Sequence, residues 1–360
     1  MGSLTHNLET TAPTTGAPLL RARRPARLAF VGLGKFAQEL AAACTKQPRR
    51  ITIASCFTRT AATREEFAKT FGCAQHESFE ALCADPDIDG VVLATPNDTH
   101  GDQTVALARA GKHVFVEKPL CNTLDEADRM IAACAEAGVV LAVGHQERRH
   151  SVYRRMRTML TSGALGRILA FEANHCGDLV GIWPKDDWRF DTARGVGPLL
   201  HKGIHKIDIL NYLFGTAETV ATLTIPLAIN PAMPGTTVSV LGFRGGIIGS
   251  LTSGFEHNNS SFTISGSVRS IAYSGHGPVI RVKNERTWTF EEIDCGADDP
   301  IAEELGEFAE AVRGAGPVEV DGQAAREAIA VAVAAQTSAE RGAVVRLDEF
   351  RPTAIAGETA

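Results

Sequence analysis

No two of the chain's cysteines stand in a CxxC spacing, and no Cys/His cluster with zinc spacing appears. The eight cysteines are dispersed at positions 44, 56, 73, 83, 121, 134, 176 and 295, and read as small apolar core residues of a reducing cytoplasm. Long hydrophobic runs are also lacking: none reaches the roughly 18 to 20 residues that a membrane span needs, so no membrane partner is expected. Positive charge is not in excess. With a formal net charge of -6 and no stripe of Lys and Arg, the chain offers no field for nucleic acid. The opening segment lacks the apolar h-region of a signal peptide. Rich in Thr, Ala and Pro and closing on Arg21, Arg23 and Arg24, residues 1–25 read as a disordered extension.

What remains is 360 residues with 44% hydrophobic content, enough for a large core divided into about two domains. From Arg27 to about Gly144, short β-branched runs alternate with helical patterns, the rhythm of βαβ units around a parallel sheet. Strands are expected at 27–31, 51–57, 90–94, 113–116 and 139–143, with helices near 36–46, 61–71, 99–110 and 123–137. Right-handed crossovers make this a doubly wound α/β domain over 26–145. After Gly144 the rhythm changes: a helix at 151–161, a strand from Arg167, a loop rich in Asp and Trp, and an amphipathic helix from about Leu199 to Leu213. Strand-like runs with Gly turns then fill 219–290, and two helices near 301–313 and 322–341 finish the chain. This predicts a second, α+β domain over 146–347 with a large, mostly antiparallel open sheet, its final helices packing back near the first domain. Residues 348–360 read as a tail.

The segment ArgLeuAlaPheValGlyLeuGlyLysPheAla sets Gly32, Gly34 and Ala37 in a GxGxxA pattern between an apolar strand and a helix. Gly32 permits the tight turn, Gly34 lets backbone approach a pyrophosphate, and Ala37 allows close helix packing. The helix start, with Lys35 and Phe36, offers free N–H groups and a partial positive charge to phosphates. Alone such a match is an ordinary Gly-rich turn; in this βαβ context it predicts a dinucleotide. The second strand ends in CysPheThrArgThr, with no acid to hold a ribose 2′-hydroxyl. Thr58 can hydrogen-bond a 2′-phosphate and Arg59 can pair with it, so NADP is favoured over NAD. If Arg59 is only a solvated surface charge, the preference is weak.

Two segments mark carboxyl ends of strands in the parallel sheet, where such folds bind ligands. ThrProAsnAspThrHis at 95–100 places Thr95, Pro96, Asn97 and His100 there, and GluLysPro at 117–119 places Glu117 and Lys118. All six are assigned to the cofactor, and Lys118 sits near the nicotinamide.

At this point the sequence resembles the glucose-fructose oxidoreductase, inositol dehydrogenase and rhizopine catabolism family, written Gfo/Idh/MocA, from Arg27 to about Leu347. The likeness rests on GlyLeuGlyLysPheAla, GluLysPro, GlyHisGlnGluArg at 144–148, TrpArg at 188–189, GlyValGlyProLeuLeuHisLysGlyIleHisLysIleAsp at 195–208 and ProIleAlaGluGluLeuGlyGluPhe at 300–308. The resemblance implies a Rossmann domain followed by an α/β domain whose open sheet serves as an oligomer interface, hence a homodimer or homotetramer. It also implies that Lys118 and His205 act with the cofactor on a sugar, inositol, uronate or related polyol-like substrate, exchanging a hydride at its carbinol or ketone carbon. The family's Asp, four residues before that His, is replaced here by His201.

On an α-helix His201, His205 and Asp208 have i, i+4 and i+7 spacing and share one face. A neutral imidazole suits the proton of an alcohol being oxidised, so His205 is the candidate general base and Lys118 its electrostatic partner beside the developing alkoxide. His201 is a third catalytic candidate; a histidine on a helix is more often structural, however, and His201 can line the pocket without moving a proton. The i, i+4 pair is also a zinc spacing, but residue 202 is Lys and no third ligand is evident, so no metal is expected. Replacing Asp by His makes the site more positive. That points to an acidic substrate, with Arg148 or Arg189 as clamps and Trp188, His201 and Asp208 beside them. The competing reading is a catalytically silent, NADP-binding regulatory or ligand-sensing protein.

Overall fold

The computed structural model describes residues 24–351 apart from 193, so the expected N-terminal extension and the end of the expected tail lie outside the described residues except at their inner edges. There the structured chain extends past the expected limits. Arg24 forks onto Asp89 with two 2.8 Å hydrogen bonds, and Leu347–Phe350 forms a 3-10 turn. Polar composition hid both edges, because neither carries a periodic apolar signal.

The first sheet is wholly parallel. Its strands are β1 (Ala26–Val31), β2 (Ile51–Phe57), β3 (Ala74–Gln75), β4 (Gly90–Leu93), β5 (His113–Glu117) and β6 (Leu141–Gly144), in the spatial order β3-β2-β1-β4-β5-β6. The crossovers carry α1 (Lys35–Thr45), α2 (Ala61–Phe71), a short α3 (Phe79–Ala84), α4 (His100–Arg109) and α5 (Leu124–Ala137). This is the doubly wound order in which ligands bind beyond the strand ends, where the order reverses between β1 and β4. The central strands are buried on both faces, as the near-continuous Val, Leu and Phe runs require.

After α6 (Ser151–Thr161) come β7 (Ile168–Cys176), a short α7 (Leu179–Ile182) and α8 (Ile204–Phe214). Strands β8 (Ala217–Leu227), β9 (Asn230–Phe243), β10 (Ile247–Gly254), β11 (Asn259–Gly266), β12 (Arg269–Tyr273), β13 (Val279–Asn284) and β14 (Phe290–Asp294) follow, then α9 (Pro300–Val312), α10 (Gly322–Arg341) and β15 (Val345–Arg346). The nine-stranded second sheet runs β14-β13-β12-β11-β7-β10-β9-β8-β15, antiparallel except where β7 and β10 pair in parallel. Helix α9 returns to the first sheet, where Phe308 packs tilted on Phe115 of β5 at 5.7 Å between ring centroids. Helix α10 packs along β8 and α8, so the last two helices join the halves.

Candidate active site

The turn after β1 is built for close approach. Gly32 has φ +82°, and a Cβ there would lie 2.7 Å from the backbone of Ala94 and the side chain of Thr95, so no other residue fits. Gly34, which starts α1, faces open space: a Cβ would meet nothing within 4 Å. No side chain caps α1, no acid stands in its first turn, and Ala37 is buried beneath it. The free N–H groups of Lys35 and Phe36 therefore face an open hollow that suits a pyrophosphate. Residues of this chain thus fit a dinucleotide, and Thr58 and Arg59 follow directly on β2, whose Phe57 carbonyl accepts from the Gly32 N–H at 3.1 Å. Arg64 of α2 donates to the Thr58 and Arg59 carbonyls at 2.7 and 3.2 Å and fixes that loop, leaving the Arg59 side chain exposed.

Beyond the ends of β4 and β5 lies a cavity of about 300 Å³ lined by residues of both halves. Phe36, Thr95, Asn97, His100, Glu117 and Lys118 come from the first half; Trp188, Arg189, His201 and His205 come from the second. Ala94, Pro119 and Gln146 complete it. Pro96 precedes the 3-10 turn Asn97–Thr99 and sets its entry. His100 is a bracket rather than a free ligand-binding group: its Nδ1 faces the carbonyls of Pro119 and Leu120 at 3.0 and 3.2 Å, and its Nε2 faces that of Thr95 at 3.0 Å. It thereby ties the two cofactor-side loops together. The Lys118–Pro119 peptide bond is cis.

Lys118 Nζ donates to the His201 carbonyl at 3.3 Å, a bond that crosses between the halves. That carbonyl belongs to a feature unforeseen in the sequence. Leu199–Gly203 winds as a π-helix before α8 begins, so His201, His205 and Asp208 do not lie on one regular α-helical face. A π turn misaligns the ladder locally and leaves carbonyls available to outside donors, and such turns recur at functional sites. His201 and His205 nevertheless both reach the cavity. Asp208 does not share it.

Asp208 and Arg148 are the clear corrections among the expected substrate residues. Both are buried and engaged with each other: Arg148 Nε donates to Asp208 Oδ2 at 2.8 Å and Nη2 donates to Oδ1. Breaking such a buried pair costs about 3–5 kcal/mol, whereas one hydrogen bond to a charged substrate group returns about 1.5–3 kcal/mol. Arg148 is therefore held by Asp208 outside the lining of this cavity, and is not a clamp. Arg189 differs. Its guanidinium lies 4.1 Å from the Trp183 ring centroid and 4.8 Å from that of Trp188, with Nη1 on Asp187 Oδ1 at 2.8 Å, and it lines the cavity.

Burial dominates the electrostatics. It holds both His205 and His201 well below the usual imidazole range; Lys118 pushes in the same direction on each, and Glu147 opposes it at His205. Both rings are thus neutral near pH 7. Burial also lowers Lys118, against the pull of Glu117, and pushes the Glu117 carboxyl up to about 8. Four further charged or titratable groups escaped the sequence reading: Glu147, Lys206, His175 and Glu304. The signal for Lys206 was there, a Lys between Ile204 and Ile207 on a helix buried nearly all round. Glu147, His175 and Glu304 become neighbours of the site only through tertiary packing.

Residues 26–145 match the Gfo/Idh/MocA profile described as "Oxidoreductase family, NAD-binding Rossmann fold", and residues 157–347 match its "Oxidoreductase family, C-terminal alpha/beta domain". The chain belongs to the Gfo/Idh/MocA family. Its N-terminal half is accordingly an NAD(P)-binding Rossmann domain of an oxidoreductase. The chain is 40% identical over 148 residues to 1,5-anhydro-D-fructose reductase of Ensifer adhaerens, a match covering 40% of this chain and only 44% of that relative. It is 34% identical over 262 residues to dTDP-3,4-didehydro-2,6-dideoxy-alpha-D-glucose 3-reductase of Streptomyces violaceoruber, covering 69% of this chain and 74% of the relative. The crystal structure of a Desulfitobacterium hafniense protein, proposed to be an NADPH-dependent oxidoreductase, superposes with a TM-score of 0.85 at 27% identity, over 91% of this chain and 99% of that one. In this Gfo/Idh/MocA member the GluLysPro lysine is Lys118, and His201 stands four residues before His205.

Proposed function

We propose that the protein exchanges a hydride between NADP(H) and a carbinol or ketone carbon of a sugar-like or polyol-like ring, and that it prefers rings bearing a carboxylate. The observation that carries this reading is the meeting of Lys118, from the end of β5, and His205, from α8, in one cavity beside the open glycine turn. When bound, the nicotinamide supplies the carbon that accepts or gives the hydride. Gly32, Gly34 and the α1 start, with Lys35 and Phe36, would hold its pyrophosphate, while Thr58 and the exposed Arg59 would meet a 2′-phosphate.

His205, neutral at rest, takes the hydroxyl proton as the alcohol is oxidised, and such help is typically worth about 10²–10⁴ in rate. Lys118 holds the developing alkoxide by charge in a cavity walled by both halves. Its bond to the His201 carbonyl keeps the ammonium at the junction of the halves. The preference for acids follows from charge: near pH 7 Glu117 is largely protonated and His201 neutral, which leaves the Lys118 ammonium facing the cavity beside Arg189, itself held against Asp187. Arg189, stacked by two tryptophans, is the clamp. The eight unpaired cysteines fit a reducing cytoplasm.

The test is steady-state turnover with NADP and NAD against paired neutral and carboxylated sugars and cyclitols. The proposal expects turnover, a higher kcat/KM with NADP, and a preference for the acid of each pair. Faster turnover of the neutral partners sinks the acid preference. Tight NADP binding without turnover of any pair points instead to the silent, ligand-sensing reading.

A further inference from the structure

Behind the cavity wall a carboxylate stands where the proposed chemistry has so far assigned nothing. Glu147 lies in the 3-10 turn Gln146–Arg149 that follows β6. Its Oε2 accepts from Lys206 Nζ at 2.7 Å, and the same ammonium donates to the Tyr153 hydroxyl at 2.8 Å. Its Oε1 points at two imidazoles, 3.9 Å from His205 Nδ1 and 3.7 Å from His175 Nε2. His205 Nδ1 is sealed from solvent and has no hydrogen-bond partner. Since His205 lines the cavity while Nδ1 is sealed, Nε2 is the nitrogen that meets substrate.

We propose that Glu147 is the positioning residue of His205, its Oε1 holding the proton on Nδ1 so that Nε2 is left basic, and balancing the imidazolium formed in turnover. The proposal rests on the reading of His205 as the base. In the oxidative direction the substrate O–H bond breaks and its proton goes to His205 Nε2. The carbinol C–H bond breaks with its electron pair passing to NADP⁺, and the C–O bond becomes C=O. The new positive charge on the ring then faces Glu147 Oε1 across a contact that is long at rest and shortens when the ring is charged, as resting-state catalytic bonds commonly do.

Lys206 is what keeps the acid ready. Burial acts to raise the Glu147 carboxyl, but Lys206, His205 and His175 together hold it well below the usual range. The groups facing His205 are Glu147 from the 3-10 turn, Lys118 just after β5, His175 from β7 and His145 beyond β6, and of these only Glu147 favours the charged ring. A neutral imidazole whose hydrogen is fixed by a carboxylate is pre-set as a base, which is the logic by which a third group orients any base.

The experiment compares the full-length protein with Glu147→Gln, Glu147→Asp and the double variant Glu147→Gln/Lys206→Met, which removes the ammonium that the single change would strand. Expected for Glu147→Gln and the double variant is a kcat loss of about 10²-fold with unchanged KM for NADP, and an acid limb of kcat/KM displaced to lower pH. Glu147→Asp restores most of the rate. A folded variant with wild-type kcat and an unmoved limb overturns the proposal. A second readout needs no substrate: nitrogen NMR of the His205 ring, assigned with His205→Asn. Wild type should hold the proton on Nδ1, and Glu147→Gln should lose that tautomer; a tautomer unmoved by the change overturns the proposal even if every substrate in the panel fails.

Discussion

At the scale of single residues, the least expected feature is a buried acid with no partner. Glu304 of α9 is 3% exposed, and neither of its carboxyl oxygens receives a hydrogen bond; Glu117 Oε1 is likewise without one. Burial raises both acids, Glu117 to about 8, and the neighbouring Glu117 carboxyl raises Glu304 further above the usual carboxyl range. In the unfolded chain they ionise at ordinary values. The folded state therefore binds more protons, and stability falls as pH rises from the ordinary carboxyl range through about 8. Glu304→Gln removes one of these protons from the balance. Thermal unfolding across pH 5 to 8 should show a flatter decline for the variant, with Tm at pH 8 higher by about 2–4 °C. A decline as steep as that of wild type would show that Glu304 is ionised in the fold and finds its compensation elsewhere. Neither acid drew notice as a pair in the sequence, because 187 positions separate residues 117 and 304 and only packing of α9 on β5 joins them.

Elements were far more legible than their neighbours in space. Helix α2 at 61–71, α6 at 151–161 and α10 at 322–341 fall where the periodicity put them, and the five main strands of the first sheet deviate by a residue or two. Apolar runs bounded by turn residues carry that information locally. Three things were not local. The π turn at Leu199–Gly203 satisfies the same apolar spacing as an α-helix, so Leu199, Leu200, Ile204 and Ile207 gave no warning of it. The parallel pairing of β7 with β10 lies in a sheet that alternation alone made antiparallel. The short α3, α7, β3 and β15 hold too few residues for any period to show. At the site, the glycine turn and the Lys118 and His205 motifs were readable because the family likeness fixes them by order. The Arg148–Asp208 pair was not, since a sequence does not say which charges bury each other.

At the scale of the whole molecule, the second sheet carries helices on one face only among the described residues. Its other face presents Leu223 at 78%, Ile225 at 65% and Ile248 at 52% exposure, with Leu223 directly opposite Val238 in the register. A contiguous apolar face of this kind is rare on a solitary protein, and we propose a second copy of the chain as its cover. Light scattering of the wild type at micromolar concentration should report a dimer or tetramer, and Leu223→Lys/Ile225→Lys should report a monomer with a retained NADP site. A monomeric wild type removes the proposal. The other whole-molecule property is the cleft itself, which is lined by residues of both halves, Lys118 from the first and His205 from the second among them. The most direct measurement is kcat beside NADPH affinity in Lys118→Ala and His205→Ala, on the best substrate of the panel. The account predicts a loss of at least about 10²-fold in kcat for each, with NADPH binding largely retained. Turnover within a few-fold of wild type in either variant would contradict it.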